Sequence, residues 1–286
     1  MTYAIAGVSG NTGKVVAEQL LRQGKSVRVI VRDAARGEAW KEKGAEVAVA
    51  DLTDAAALTT ALRGAEGAYL LVPPNFAAPD LRAFQDRVSH SFATAVAASG
   101  IPHVVLLSSI GAQHEAGTGP IAGLHLTERL LGAIPNVLLS SLRAGYFLEN
   151  LGSSLGSVKA GGALPSFFPA SLAFPMVSTT DIGTLAAELL LAPPPASRIV
   201  ELGTERSHAD IVAALSARLG REVAVQEAPI EAVVPTLVGF GFSPSMAGLY
   251  AEMTSAVVSG LVAFEGHGRV QSREPLTTTL GGLLGA

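Results

Sequence analysis

Three glycines spaced by three, Gly7, Gly10 and Gly13, interrupt the chain between an apolar run and an amphipathic one. The segment reads Tyr3-Ala-Ile-Ala-Gly7-Val-Ser9-Gly10-Asn11-Thr12-Gly13. A strand that breaks on a glycine and resumes as a helix is the entry to a βαβ unit. Gly7 permits the tight turn, Gly10 lets a ligand approach the backbone, and Gly13 lets the helix lie close to the sheet. The unpaired N–H groups and dipole of that helix start favour an anion, as the pyrophosphate of a dinucleotide is. Ser9, Gly10, Asn11, Thr12 and Gly13 are therefore candidate cofactor ligands along with Gly7.

The next apolar run, 26–31, ends on Arg32 followed by Asp33. An NAD site places a carboxylate there to accept the ribose 2′-OH; a guanidinium instead pairs with a 2′-phosphate. Arg32 thus points to NADP(H), whereas Asp33 facing the ribose would tolerate NAD. Asp51 follows the third apolar run, where it either holds the adenine or caps a helix over 54–63.

Beyond the motif, short apolar runs at 3–7, 26–31, 45–50, 68–72, 103–108 and 137–142 alternate with amphipathic stretches at 13–23, 36–43, 54–63, 80–99 and 122–132. Strands apolar on both faces are buried under helices, and the alternation implies parallel pairing through right-handed crossovers. The expected fold is α/β: a doubly wound parallel Rossmann sheet with a smaller C-terminal α/β substrate domain. The expected division is 1–150, with about 176–203, for the NADP-binding domain, and 151–175 with 204–286 for the smaller one. Residues 151–175 are rich in Gly, Ser, Pro and Phe. A helix restarts at Asp181 and stops at Pro193-Pro194-Pro195, 199–202 reads as a strand, and Ser207 with Asp210 forms a capping-box variant. The remainder reads as short helices broken by Gly and Pro. The apolar helix 244–258 fits either a core or an exposed face, so a monomer and a homodimer both remain open.

Composition excludes several classes. Apolar residues make up 49% and charged ones 15%, which disfavours disorder, and a net charge of −4 without a basic stripe disfavours nucleic acid. Cysteine is absent, so disulfides and thiol chemistry are excluded. No His-Glu-x-x-His or carboxylate cluster indicates a metal. No apolar run free of charge, Gly and Pro is long enough to span a bilayer, and no leader-like segment precedes the first strand, so a cytoplasmic protein without membrane attachment is expected.

Several segments together carry a family resemblance: Gly7-Val-Ser-Gly-Asn-Thr-Gly13, Val31-Arg32-Asp33, Leu107-Ser108-Ser109, Leu142-Arg143-Ala-Gly-Tyr-Phe-Leu-Glu149-Asn150 and Thr180-Asp181-Ile182-Gly183. The chain resembles the NmrA-like branch of atypical short-chain dehydrogenases, in particular its quinone-reductase and triphenylmethane-reductase types. The three-and-three glycine spacing is also that of extended short-chain dehydrogenases. The resemblance implies a Rossmann domain with a smaller domain over the cleft. It also implies roles from NADPH-dependent reduction of quinones or dyes to cofactor sensing without turnover. It places Pro73 and Pro74 along the cofactor, Ser108 and Ser109 toward the nicotinamide, and Tyr146, Phe147 and Asn150 on the substrate side; Asn75, Phe76 and Phe174 are further candidates for that side. Glu149 would line that side too or fix the loop that does.

The chemistry departs from the classical pattern. Tyr3, Tyr69, Tyr146 and Tyr250 all lack Lys four residues on, so the Tyr-x-x-x-Lys proton relay of alcohol and epimerase chemistry is missing. His125 is the titratable residue nearest the place that pair would occupy: either a proton donor, or a solvent-facing or loop-capping side chain. Glu128 either orients it or lies on a solvated helix face. Seven of the ten phenylalanines fall in the second half, filling a small core or lining an apolar pocket. The expected activity is hydride transfer from NADPH to an aromatic or conjugated acceptor such as a quinone. The alternatives are a non-catalytic NADP(H) sensor and a reductase of an activated carbonyl or imine that uses His125.

Overall fold

The computed structural model describes residues 1–285. Its chain order is β1 (Thr2–Ala6), α1 (Asn11–Arg22), β2 (Ser26–Val31), α2 (Glu38–Glu42), β3 (Glu46–Val49), α3 (Ala55–Leu62), β4 (Gly67–Leu71), α4 (Leu81–Ser99), β5 (His103–Ser109), α5 (Ala122–Gly132) and β6 (Leu138–Ala144). These strands pair in parallel with β10 (Arg198–Leu202) as one seven-stranded sheet in the order β10-β6-β5-β4-β1-β2-β3. The order reverses between β4 and β1, the switch point at which open α/β sheets bind ligands.

Side chains alternate across this sheet, and two apolar cores result. Ile5, Val29, Tyr69, Val105 and Leu142 face α1 and α7 (Thr179–Leu191). Ala4, Leu70, Val104, Leu106 and Leu139 face α3, α4 and α5, where Val88, Phe92 and Val96 of the α4 stripe meet them. The expected 36–43 helix is split into a 3₁₀ turn over 34–37 and the short α2, because Asp33 caps the turn through the Ala35 N–H. The helix expected from Asp181 begins two residues earlier: Ser178 is its N-cap and accepts from the Asp181 N–H.

The rest of the chain supplies β7 (Tyr146–Phe147), α6 (Leu155–Lys159), β8 (Leu164–Ser166), β9 (Phe174–Val177), β11 (Thr204–Arg206), α8 (His208–Leu219), β12 (Val225–Glu227), α9 (Val233–Gly239), α10 (Pro244–Val258) and α11 (Leu276–Gly285). The short strands form a β11-β9-β7 sheet and a β12-β8 pair; of them only β12 lies in the stretch expected to hold short helices alone. Leu148, Leu155, Leu164, Phe168, Phe174, Ile211, Leu215 and Leu280 build a third core there. The Ser207–Asp210 capping box is complete, with side chain and backbone reciprocally bonded. Helix α10 buries Met246, Ala247, Thr254, Ala256 and Val257 and leaves Val258 outside, so one of its faces is core.

At the amino end of the sheet His103 is buried, with Nε2 3.1 Å from the Ser140 hydroxyl. Burial, assisted by the charge of Arg198, pushes its pKa down to about 4. Burial lowers His208 as well. The unfolded chain protonates His103 near pH 6.5, so between about 6.5 and about 4 the unfolded state holds more protons and stability falls with acidification. We expect a loss of ~3 kcal/mol from His103 across that window. His103→Gln should flatten the pH dependence of urea unfolding there, and an unaltered slope would remove His103 as its source.

Candidate active site

The glycine turn lies at the carboxyl edge of β1, beside the switch point. Gly7 has φ +72°, the left-handed region that favours glycine, and its carbonyl accepts the Gly10 N–H at 2.9 Å. A Cβ on Gly13 would collide with the Ala6 carbonyl oxygen and lie 2.6 Å from that of Gly7, so α1 sits on β1 only because a glycine is there. The amino end of α1 has no side-chain cap and no acid in its first turn. By contrast, α3, α4, α7, α8 and α10 are capped by Asp54, Asp80, Ser178, Ser207 and Ser243. Ser9, Gly10 and Asn11 are exposed around that uncapped end. The site therefore fits a pyrophosphate: open N–H donors, no competing carboxylate, and no Cβ at Gly10. Thr12 differs from the rest. Its side chain is buried and accepts the Tyr69 hydroxyl at 2.9 Å, which leaves its backbone as the group facing a ligand.

Arg32 is exposed past the end of β2 and forms no hydrogen bond or ion pair among the described residues. The Asp33 carboxylate is taken up by the Ala35 N–H at 3.0 Å. The Asp51 carboxylate accepts the Thr53 N–H at 2.8 Å and its hydroxyl at 2.7 Å, which with the nearby Arg32 charge hold its pKa low. The helix-cap alternative for Asp51 is overturned: Asp54 caps α3, through the N–H groups of Ala56 and Ala57. The cation at this corner is thus the available group, and both acids are committed to local turns.

On the other side of the switch point, the segment after β4 carries Pro73, Pro74, Asn75 and Phe76. Phe76 is 45% exposed and packs on Phe242 with centroids 4.7 Å apart. Phe242 meets Tyr250 of α10 edge-on at 6.0 Å. Tyr146 lies two residues past β6, half-buried, with Asn150 bonded to its hydroxyl and Tyr250 near enough to raise its pKa, although burial is the larger cause. Phe76, Phe242 and Tyr250 thus make one aromatic row at the carboxyl end of β4, and Tyr146, past the end of β6, is close enough to feel Tyr250; together they are taken as an aromatic wall. Phe147 is half-buried against the α1/α7 core. Phe174, expected to line the substrate site, is only 4% exposed and is packed at 4.8 Å on Phe168 and edge-on to Tyr146, so it supports the wall from behind. Glu149 accepts the Thr179 N–H at 2.9 Å and its hydroxyl at 2.7 Å, fixing the segment that carries Tyr146.

A row of polar residues crosses the sheet at the same edge. Ser108, Arg143 and Glu201 are register partners on β5, β6 and β10, and all three are buried. Arg143 donates to both oxygens of Glu128 at 3.0 and 2.7 Å, and to Glu265 at 2.6 Å. Ser108 donates to Glu128 at 2.5 Å. Glu201 accepts the backbone N–H groups of Glu265, Gly266 and His267 at 2.7 to 3.0 Å. Glu128 therefore lies neither on a solvated face nor against His125, because the buried guanidinium requires it. Ser109 turns its hydroxyl to the Ile110 carbonyl at 2.9 Å. The His125 ring has Nδ1 2.9 Å from the Ala112 carbonyl; since a carbonyl only accepts, Nδ1 carries a hydrogen. His125 lines a cavity of about 350 Å³ with Gln113, Glu128, Arg129 and Arg143.

A family model, described as NmrA-like family, matches residues 1–260. The chain belongs to the NmrA-like family. Two curated members resemble it, each over about seven-eighths of this chain and 85% of its own length. NAD(P)H azoreductase of Xenophilus azovorans is 26% identical over 258 residues, covering 86% of this chain. Quinone oxidoreductase 2 of Escherichia coli K12 is 26% identical over 257 residues, covering 87%. The structure of Citrobacter triphenylmethane reductase complexed with NADP(H) superposes with a TM-score of 0.83 at 20% identity, covering 99% of this chain and all of the other. Within this NmrA-like chain, sequence reasoning passed over Glu201, Glu265 and Tyr250. For Glu201 a signal was available: a lone carboxylate inside an apolar strand is almost never buried unpaired. The same reasoning applies to Arg143, quoted only as part of a motif.

Removing the Arg143 guanidinium strands two carboxylates at once. We expect Arg143→Met to lower unfolding free energy by ~3–5 kcal/mol, the usual effect of breaking a buried pair. Denaturant unfolding measures it, and a loss below ~1 kcal/mol would mean that the network carries no stability.

Proposed function

We propose that this protein is an NADPH-dependent reductase of a flat aromatic or conjugated acceptor. The reading rests on one juxtaposition: an anion-ready helix end with an uncommitted Arg32 on one side of the switch point, and the aromatic wall on the other. Segments 1–150 and 176–203 would hold the cofactor, and 151–175 with 204–286 would cover the acceptor. Gly7, Ser9, Gly10, Asn11, Gly13 and the Thr12 backbone would cradle the pyrophosphate, and Arg32 would pair with the 2′-phosphate. Pro73 and Pro74 would run beside the nicotinamide half. When bound, NADPH supplies a hydride. The chain's part is to orient the acceptor: Asn75, Phe76, Phe242, Tyr250 and Tyr146 would hold a planar ring system and exclude water from its face. No Tyr-Lys relay exists, and a conjugated acceptor does not require one, since solvent protonates its reduced form. His125 spends its Nδ1–H on the Ala112 carbonyl and is assigned no proton transfer. The names of the relatives, which reduce azo compounds, quinones and triphenylmethane dyes, support an acceptor of this class.

Steady-state oxidation of NADPH with a panel of quinones and dyes tests the reading. Tight NADPH binding with no turnover of any acceptor would overturn it and favour cofactor sensing. Arg32→Glu should raise the Kd for NADPH by about 10- to 100-fold, the value of a charge-assisted phosphate contact, and narrow the preference over NADH. Unchanged cofactor preference would move the 2′-phosphate away from Arg32.

A further inference from the structure

The aromatic wall is not uniformly apolar. Two hydroxyls interrupt it, one carried by the chain past β6 and the other by α10. Tyr146 stands two residues past the end of β6, at the carboxyl edge of the sheet, and is braced edge-on by Phe168 at 6.1 Å and Phe174 at 5.8 Å. Tyr250 stands on α10, braced by Phe242. Helix α10 is docked at its start onto the β4–α4 connection: the Ser243 N–H donates to the Phe76 carbonyl at 2.8 Å, and the Leu81 N–H to the Ser245 hydroxyl at 3.1 Å. Both tyrosines are therefore fixed by rigid elements, and both keep part of their surface open. The Tyr146 hydroxyl has Asn150 beside it, and that of Tyr250 has no hydrogen-bond partner among the described residues. Burial raises both phenols above their ordinary value, and neither a carboxylate nor a lysine is among the groups acting on them. They stay protonated, so they are donors.

We propose that Tyr146 and Tyr250 donate hydrogen bonds to an oxygen of the acceptor, so that the site prefers quinones over acceptors without a carbonyl oxygen. The inference rests on the reductase reading above and narrows it. A quinone that takes up a hydride gains two electrons and one hydrogen, and becomes a hydroquinone monoanion with the charge on oxygen; a proton from water completes the hydroquinone. Donors aimed at that oxygen bind it more strongly as the charge grows, which is the condition for accelerating the step. The tyrosines keep their protons throughout. A triphenylmethane cation takes hydride at carbon and develops no anion, so the two hydroxyls gain nothing from it.

The test compares naphthoquinone with crystal violet in wild type, Tyr146→Phe and Tyr250→Phe, with unfolding midpoints measured alongside. The ratio of kcat/KM for naphthoquinone to that for crystal violet should fall about ten- to a hundredfold in each variant. A ratio unchanged in both variants, or equal losses on both acceptors, overturns the inference while leaving the reductase reading intact. If the wild type reduces neither acceptor, the reductase reading fails first. Binding of naphthoquinone to the NADP⁺-loaded protein, followed by fluorescence, then decides the inference separately: a several-fold weaker Kd in Tyr250→Phe supports it, and an unchanged Kd overturns it.

Discussion

A guanidinium buried on the face of a parallel sheet cannot be left to itself, and much of this molecule's carboxyl edge is arranged around that fact. Arg143 lies on β6 among Leu, Ser and Ala, where water cannot solvate it, so partners must come to it. Glu128 arrives on α5 and fixes the height of that helix against β5 and β6. Glu265 arrives on the chain that follows α10. Its backbone would in turn be unsatisfied beside the sheet, and the buried carboxylate of Glu201 accepts three of its N–H groups. The segment then runs on as a bridge from Val270 to Leu202 and passes its Arg273 and Glu274 N–H groups to Asp181. The edge strand β10 is thereby covered, which removes a row of open backbone groups available for aggregation. One charge thus ties the third core to the end of the Rossmann sheet.

The opposite strategy governs the glycine turn. There the fold leaves backbone donors open while capping α3, α4, α7, α8 and α10 with side chains. A Gly cap costs roughly a few tenths of a kcal/mol relative to Ser or Asp, and the fold caps α3, α4, α7, α8 and α10 with such residues. Gly10 at that position is understandable if an anionic ligand is the cap. Selectivity then depends on the neighbours: Asp33 and Asp51 both accept from local N–H groups, so the acids of this corner are turned into loop structure and the cation is what faces outward.

How much of this was legible in the sequence follows from the range of the interactions. The strands of the large sheet and most of its helices were readable because their signals are local: apolar runs, a 3.6-residue stripe in 80–99, a capping box at Ser207. The cofactor end was readable for the same reason, since a glycine spacing and the residue ending β2 sit within one βαβ unit. The small strands β8, β9, β11 and β12 were not, because three- and four-residue strands carry no periodicity and are defined by partners tens of residues away. The role of Glu128 was misread because its partner, Arg143, lies fifteen residues on and across a sheet layer. Phe174 was assigned to the cleft by composition, which cannot tell a lining ring from a supporting one. Tyr250 was noticed only for the lysine it lacks. Its place in the wall depends on α10 folding back onto the β4–α4 connection, a contact between residues more than 160 positions apart.

The separation of charge from the aromatic wall bears on what chemistry the cleft can support. The polar row sits on the α5 side of the sheet, where its carboxylates are saturated by Arg143, Ser108 and backbone N–H groups and have little capacity left to relay a proton. The wall contains hydroxyls that burial holds in the protonated state and no carboxylate or ammonium acting on them. A site of this kind stabilises charge by fixed hydrogen bonds and does not move protons, and it suits acceptors whose reduced form survives as an anion until water reaches it. Alcohol–ketone chemistry, in which the alkoxide is too basic to wait, needs the relay that this chain has given up. The lost Tyr-Lys pair and the two isolated tyrosines are in that sense one feature: without a base beside it a buried phenol remains a donor, and a donor alone favours the acceptors that need nothing more.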